Sequence, residues 1–261
     1  MQNNIFSTLF VGQNLIKLQE VDSTNNFLKM MVSNSEPLPE GTVIMAERQF
    51  AGRGQLNNVW HSEPGMNLTF SLYLKPSFLA IADQFLLNMV ISIALYDSLI
   101  KWTGPGLKIK WPNDIYFNDK KMVGILIENS IAGNKYKSAI IGIGVNVNQR
   151  KFGDQLISRV TSIFQILQQD VNLMELLAQI CDNIESRYLT LRDGNYANLR
   201  AEYVSYLYRA NQASYFKHKE DVLVGQIVDV TDQGQLVVLA EGLKHFYNFK
   251  EIEFLNKSAL Q

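Results

Sequence analysis

Residues 85–100 form the longest apolar stretch of the chain, interrupted by Asn88, Ser92, Asp97 and Ser98. That falls short of the roughly 18 apolar residues a membrane span needs. The stretch therefore reads as a buried helix over about 82–102, closed by Gly104-Pro105-Gly106. Strand-like runs follow at 107–111, 122–128 and 138–147, the last two joined by Ala132-Gly133-Asn134, and a turn at Asn118-Asp119 links Ile115-Tyr116-Phe117 to Lys121. A buried helix beside a group of strands predicts an α+β fold, a mixed β-sheet with helices covering one face.

The flanking segments extend this pattern. Asp22-Ser23-Thr24-Asn25 offers capping oxygens before Phe27, Leu28, Met30 and Met31, which predicts a short helix ended by Pro37, Pro39 and Gly41. Residues 42–46 read as a buried strand and 67–74 as a half-buried one. Residues 173–207 are helical in spacing, punctuated by Asp193-Gly194. Beyond Tyr215 the period changes to two, with a tight Asp232-Gln233-Gly234 turn, which predicts a small C-terminal β-barrel of about 45 residues leaning on the larger unit. The division is a catalytic domain over 1–213 and a C-terminal domain over 214–261.

Composition narrows the functional classes. With 261 residues the chain buries roughly 70 to 75% of its unfolded surface without any staple. Its one cysteine, Cys181, falls in the helical spacing Leu173, Leu176, Leu177, Ile180, Ile184, Tyr188 and reads as core. The formal net charge is -1 and no Lys/Arg-rich run occurs, which argues against nucleic acid as a partner. Residues 1–10 carry no basic segment and no apolar run of signal length, so a cytoplasmic protein with no membrane partner is expected. The sequence leaves the oligomeric state open, a homodimer included.

Two segments carry the chemistry. Gly52-Arg53-Gly54, with Gln49 upstream and Trp60 closing the run GRGQLNNVW, offers amides, a guanidinium and an aromatic ring to one flat, anionic ligand. Lys110-Trp111-Pro112-Asn113-Asp114 places a proline in what otherwise reads as a strand, marking an edge or bulge, and Lys121 and Gly124 follow. A carboxylate and a lysine near one point suit the joining of a carboxylic acid to a phosphate, where two anions are pressed together and fixed positive charge and a metal offset their repulsion. Residues 142–147 begin like a dinucleotide fingerprint, but Val147 stands at its last glycine position and no P-loop occurs. His61, His218 and His245 share no metal-ligand spacing.

Together these motifs resemble those of biotin protein ligases, beginning at Asp22-Ser23-Thr24-Asn25 and running through Gln49, residues 52–60, 110–114, 121–124 and 142–148. The resemblance implies a C-terminal SH3-like domain, the substrates biotin and ATP, Mg²⁺, and as protein partner the biotin carboxyl carrier domain of a carboxylase. It implies that Ser23, Thr24, Asn25, Gln49, Gly52, Arg53, Gly54, Lys121 and Gly124 bind biotin. Trp60, Trp111, Asn113, Asp114 and Asn146 would bind ATP, Asp114 would hold the metal, and Lys121, Arg53 and Asp114 would be catalytic.

The implied reaction forms biotinyl-5′-AMP and then transfers biotin to an acceptor lysine. Gln55 and Asn58 stand where the bacterial pattern often has arginine, so the loop is short of cations. Only about twenty residues precede the Asp22 motif, too few for the DNA-binding winged helix of the repressor-type members. The alternatives are a lipoate protein ligase of the same fold and a non-catalytic biotin-responsive regulator.

Overall fold

A computed structural model describes residues 5–34, 37–55, 58–133, 135–194 and 196–255. Asn134 of the expected Ala132-Gly133-Asn134 turn, and Leu56 and Asn57 of the glycine loop, lie outside the described residues. Seven strands form the main sheet: β1 (Leu15–Val21), β2 (Val43–Gln49), β3 (Leu68–Leu74), β4 (Leu107–Lys110), β5 (Asp114–Phe117), β6 (Lys120–Ala132) and β7 (Lys135–Val145). Their order is β1-β2-β3-β7-β6-β5-β4. Only β1 and β2 run parallel, so the sheet is mixed. The helices are α1 (Thr24–Ser33), α2 (Gln84–Thr103), α3 (Ile163–Leu167), α4 (Leu173–Arg192) and α5 (Tyr196–Ser205).

The apolar stretch is α2, buried between the sheet and α4 and α5. Its polar interruptions are all satisfied. Ser92 and Ser98 donate back to the carbonyls of Asn88 and Ala94, and Asp97 accepts from Arg187 of α4 at 2.8 Å. Asn88 donates to the Pro112 carbonyl at 2.7 Å, tying the core helix to the loop of the expected site. Cys181 is buried on α4, as its spacing predicts, and burial pushes its thiol up to about 12.

Two expectations are corrected. Helices cover both faces of the sheet, because α1 packs Leu28 against Ile44, Tyr73 and Ile140 on the face opposite α2. For the same reason β3 is buried at every position and not on one side alone. Two elements were not foreseen. The edge strand β1 exposes Lys17, Gln19 and Glu20, which blurs its period, and α3 is a single short turn capped by Ser162.

The C-terminal segment forms a separate five-stranded antiparallel sheet from β8 (Ser214–His218), β9 (Asp221–Val230), β10 (Leu236–Ala240), β11 (Leu243–Tyr247) and β12 (Glu253–Leu255). Its order is β11-β10-β9-β8-β12, and the ladder is open among the described residues. The Asp232-Gln233-Gly234 turn docks it on the larger unit. Gly234 has φ +87° and a Cβ there would stand 2.3 Å from the Phe85 ring, so both conformation and space favour glycine. Its carbonyl accepts from Trp111 Nε1 at 3.0 Å, and Arg200 of α5 pairs with Asp229 and Asp232.

Candidate functional site

The α1 face of the sheet carries a cavity of about 410 Å³. Its floor is made by glycines. Gly124 of β6 and Gly144 of β7 are register partners, and the indole of Trp60 lies flat on both: a methyl added at Gly144 would stand 2.3 Å from the ring, and one at Gly124 2.8 Å. Any side chain at these positions would lift the indole off the sheet.

Trp60 reaches the floor because residues 52–54 and 58–60 pair as the two strands of a small hairpin. Trp60 N–H donates to the Gly52 carbonyl at 2.9 Å, Gly54 N–H donates to the Asn58 carbonyl at 2.7 Å, and Arg53 bridges Val59. A Cβ at Gly52 would meet the Trp60 carbonyl, which accounts for glycine there. The indole Nε1 is buried with no hydrogen-bond partner, a cost that a polar ligand would remove.

At one end the lining is mainly neutral hydroxyls and amides, and the charge beside them, Arg53, is paired with Glu128. Gln49 Oε1 accepts from the N–H of Thr24 at 2.8 Å and from its hydroxyl at 3.0 Å. The Ser71 hydroxyl reaches Thr24 Oγ1 and Asn25 Oδ1, and Ser23 stands at the N-cap position of α1 beside them. These hydroxyls and amides, all buried or half-buried, can read a neutral group that both donates and accepts.

The other end is charged. The antiparallel strands β4 and β5 set Lys110 directly opposite Asp114, with Trp111-Pro112-Asn113 as the loop between them. The Trp111–Pro112 peptide is cis. The ammonium of Lys121, on β6, donates to Asp114 Oδ2 at 2.7 Å. Burial pushes the Lys110 ammonium below the ordinary lysine value, with Asp114 opposing that shift. Lys110 has no ion pair among the described residues; its nearest polar partner is Tyr116 Oη at 3.4 Å. Phe249, Lys250, Ile252, Glu253 and Phe254 of the C-terminal unit wall this end.

Of the residues expected from sequence, Ser23, Thr24, Asn25, Gln49, Arg53, Gly54, Trp60, Trp111, Asp114, Lys121 and Gly124 line the cavity. Gly52, Asn113 and Asn146 do not. Gly52 faces the other side of the hairpin. Asn113 is buried and holds the loops, accepting from Gln55 at 2.8 Å and donating to Asn88 at 2.9 Å. Asn146, expected at ATP, lies beneath the strand that carries Lys121: its N–H donates to the Met122 carbonyl, and its side chain donates to the Thr161 carbonyl while Oδ1 is buried without a partner.

Two further side chains differ from expectation. Trp111 commits its N–H to Gly234, so only its ring is available to the cavity. Arg53, expected to bind biotin and to be catalytic, donates to Glu128 at 2.9 Å and to Asn26 at 2.7 Å. Glu128 lies seven residues beyond Lys121 on β6, roughly 20 Å at about 3.3 Å per residue.

Sequence reading passed over Lys110, Glu128, Gln55 and the C-terminal wall as site components. Period two along β6 from Gly124 reaches Glu128, and the short loop at Pro112 sets Lys110 against Asp114, so two of these carried a local signal. The wall carried none.

A mixed sheet whose glycine floor runs from an uncharged polar end to a lysine–aspartate end belongs to a known class. The sequence model of the Biotin/lipoate A/B protein ligase family matches residues 16–146, and the chain belongs to that family. Bifunctional ligase/repressor BirA of Bacillus spizizenii is 31% identical over 244 residues, spanning 92% of this chain and 74% of the relative. Biotin--[acetyl-CoA-carboxylase] ligase of Paracoccus denitrificans is 39% identical over 133 residues, 50% of this chain and 53% of the relative. Among solved structures, biotin protein ligase from Aquifex aeolicus in complex with biotin and ATP superposes with a TM-score of 0.78 at 27% identity, covering 94% of this chain and 100% of that one.

Proposed function

We propose that the chain is an ATP-dependent biotin protein ligase. The observation that carries this reading is the polarity of the cavity: a neutral hydrogen-bonding end, a flat floor under an indole, and a charged end. Ser23, Thr24, Asn25 and Gln49 suit a ureido group, which donates and accepts. A dithiolane ring has neither capacity, which disfavours lipoate. The indole of Trp60, which lies on the glycine floor and lines the cavity, suits packing against a fused ring.

The carboxylate tail then points to Lys121, Lys110 and Asp114, where ATP enters against the C-terminal wall. A carboxylate oxygen attacks the α-phosphorus and pyrophosphate leaves. The amine of an acceptor lysine next attacks the acyl carbon, breaking the bond to the phosphate oxygen, so that AMP departs and an amide remains. Lys121 donates to the oxygens on which charge collects in both steps. A binding-only regulator would have no use for two lysines and a carboxylate at that point.

Among the described residues no group of three or more His, Cys, Asp or Glu is arranged to hold a metal. Mg²⁺ is commonly held by one or two carboxylates together with substrate phosphates, and Asp114 at the charged end fits that mode. Asp114 would hold it along with the nucleotide, where it would neutralise phosphate charge. The acceptor we assign is a lysine-bearing carrier domain of a carboxylase; the Paracoccus relative's name gives acetyl-CoA-carboxylase for that protein.

The chain divides at about residue 213, and the small sheet is an SH3-like barrel. The contact of His218 on β8 with Tyr247 on β11, ring centroids 5.2 Å apart although two strands lie between them in the ladder, supports such curling. The deciding experiment is ATP–pyrophosphate exchange with biotin or lipoate as the acid, followed by labelling of a carrier domain. Exchange that needs biotin supports the reading, and exchange that needs lipoate or neither acid refutes it.

A further inference from the structure

Arg53 is the one cation in GRGQLNNVW, and its position away from Lys121 needs its own account. The guanidinium forks onto Glu128, with Nη2 to Oε1 at 2.9 Å and Nη1 to Oε2 at 3.3 Å, while Nη1 also donates to Asn26 Oδ1 at 2.7 Å. One side chain thus fastens the hairpin to β6 and to α1 together. The hairpin carries Trp60 with it, through the bond from Trp60 N–H to Gly52.

Glu128 is built to receive this contact. Its side chain is 19% exposed against 39% for Arg53, and it also accepts from Lys29 of α1 and, at 2.8 Å, from Asn25 Nδ2. Asn25 lines the cavity, and its Oδ1 is held by Ser71. Glu128 therefore orients a cavity amide and anchors the hairpin strands without lining the cavity itself.

We propose that Glu128 is a positioning residue which, through Arg53, latches the hairpin strands and with them Trp60 against the cavity floor. The latch sets how long the acid and its adenylate stay bound and leaves the rate of their chemistry to Lys121 and Asp114. The nature of the bound molecules rests on the ligase reading above; the latch itself does not. A forked ion pair with a neutral third partner is stronger than a simple surface pair, yet Arg53 is exposed enough for salt to weaken it.

Two measurements test this. In protein without added ligands, amide hydrogen exchange over residues 52–60 is expected to quicken about tenfold in Glu128→Gln, which keeps an acceptor for Asn25 but removes the charge. Arg53→Ala is expected to do the same, and the double variant no more than either, because both changes open one contact. Unchanged exchange in Glu128→Gln, or effects that multiply in the double variant, would overturn the latch.

The second measurement uses biotin and ATP. Glu128→Gln is expected to raise KM for biotin and the release rate of biotinyl-AMP about tenfold while kcat for pyrophosphate exchange falls less than twofold. A fall in kcat with KM and release unchanged would instead mark Glu128 as part of the chemistry and overturn the proposal. If the wild-type protein shows no biotin-dependent exchange but the hydrogen-exchange pattern holds, the ligase reading fails and the latch stands.

Discussion

Lys121 and Asp114 hold each other at 2.7 Å, and that ion pair is what two incoming anions must enter. Lys121→Ala is expected to lower ATP–pyrophosphate exchange by about 10²-fold or more, since contacts near 3 Å are worth a few kcal/mol at an effective ε of about 20. The circular dichroism spectrum should not change, because the half-exposed ammonium packs no core. Gln55 holds Asn113 and the Ile125 carbonyl, a position from which a longer cation can reach both loops. Gln55→Arg is expected to lengthen the lifetime of biotinyl-AMP about tenfold, for a charge-assisted bond of about 1 to 2 kcal/mol; pulse-chase release of the labelled intermediate measures it.

Glu128 gives a pH prediction. Burial raises its pKa, but the hydrogen bonds from Lys29, Asn25 and Arg53 outweigh that and hold it below the ordinary 4.5. A depressed folded value means the contact's stabilisation is complete above the unfolded value and is lost as pH falls through the folded one. Corrected for intrinsic rates, hydrogen exchange over residues 52–60 is expected to be flat from neutral pH down to about 5 and to quicken below about 4.5.

At the scale of elements, α2 does two things: it fills the core and, through Asn88, carries the loop between β4 and β5. Asn88 donates to the Pro112 carbonyl and accepts from Asn113, and Tyr203 of α5 donates to the same carbonyl at 2.6 Å. Asn88→Leu strands a buried amide of Asn113 and is expected to cost about 1 to 3 kcal/mol, read as a lower urea midpoint. Exchange activity should fall further than the loss of folded protein explains, because the loop sets Lys110 against Asp114. An unchanged rate per folded molecule would separate the helix from the site.

At the scale of the whole molecule, the C-terminal sheet completes the cavity by walling its charged end, and one turn seats it. Gly234→Ala places a methyl against Phe85 in a left-handed conformation that costs an ordinary residue about 1 kcal/mol or more. It is expected to raise KM for ATP several-fold through the shifted wall while KM for biotin stays within twofold, since the neutral end is built wholly from the larger unit. Steady-state kinetics with each substrate varied in turn checks this, and equal changes in both would mean that the wall does not discriminate.

The features legible in the sequence are those that short stretches of chain determine. Alternation and apolar length identified α2 and most of the strands, turn chemistry located the Asp232-Gln233-Gly234 turn and the glycine loop, and the resemblance to biotin protein ligases carried by the motifs gathered most of the cavity lining. These signals are local, because period and turn residues act within a few positions. The covering of both faces of β3, the bond between Arg53 and a glutamate 75 residues away, the burial of Asn146 off the cavity and the wall from residues 249–254 were decided only in the tertiary structure. Apolar pattern states that a face is buried but not what buries it, and a charge does not announce its partner until chain pairing brings one within reach.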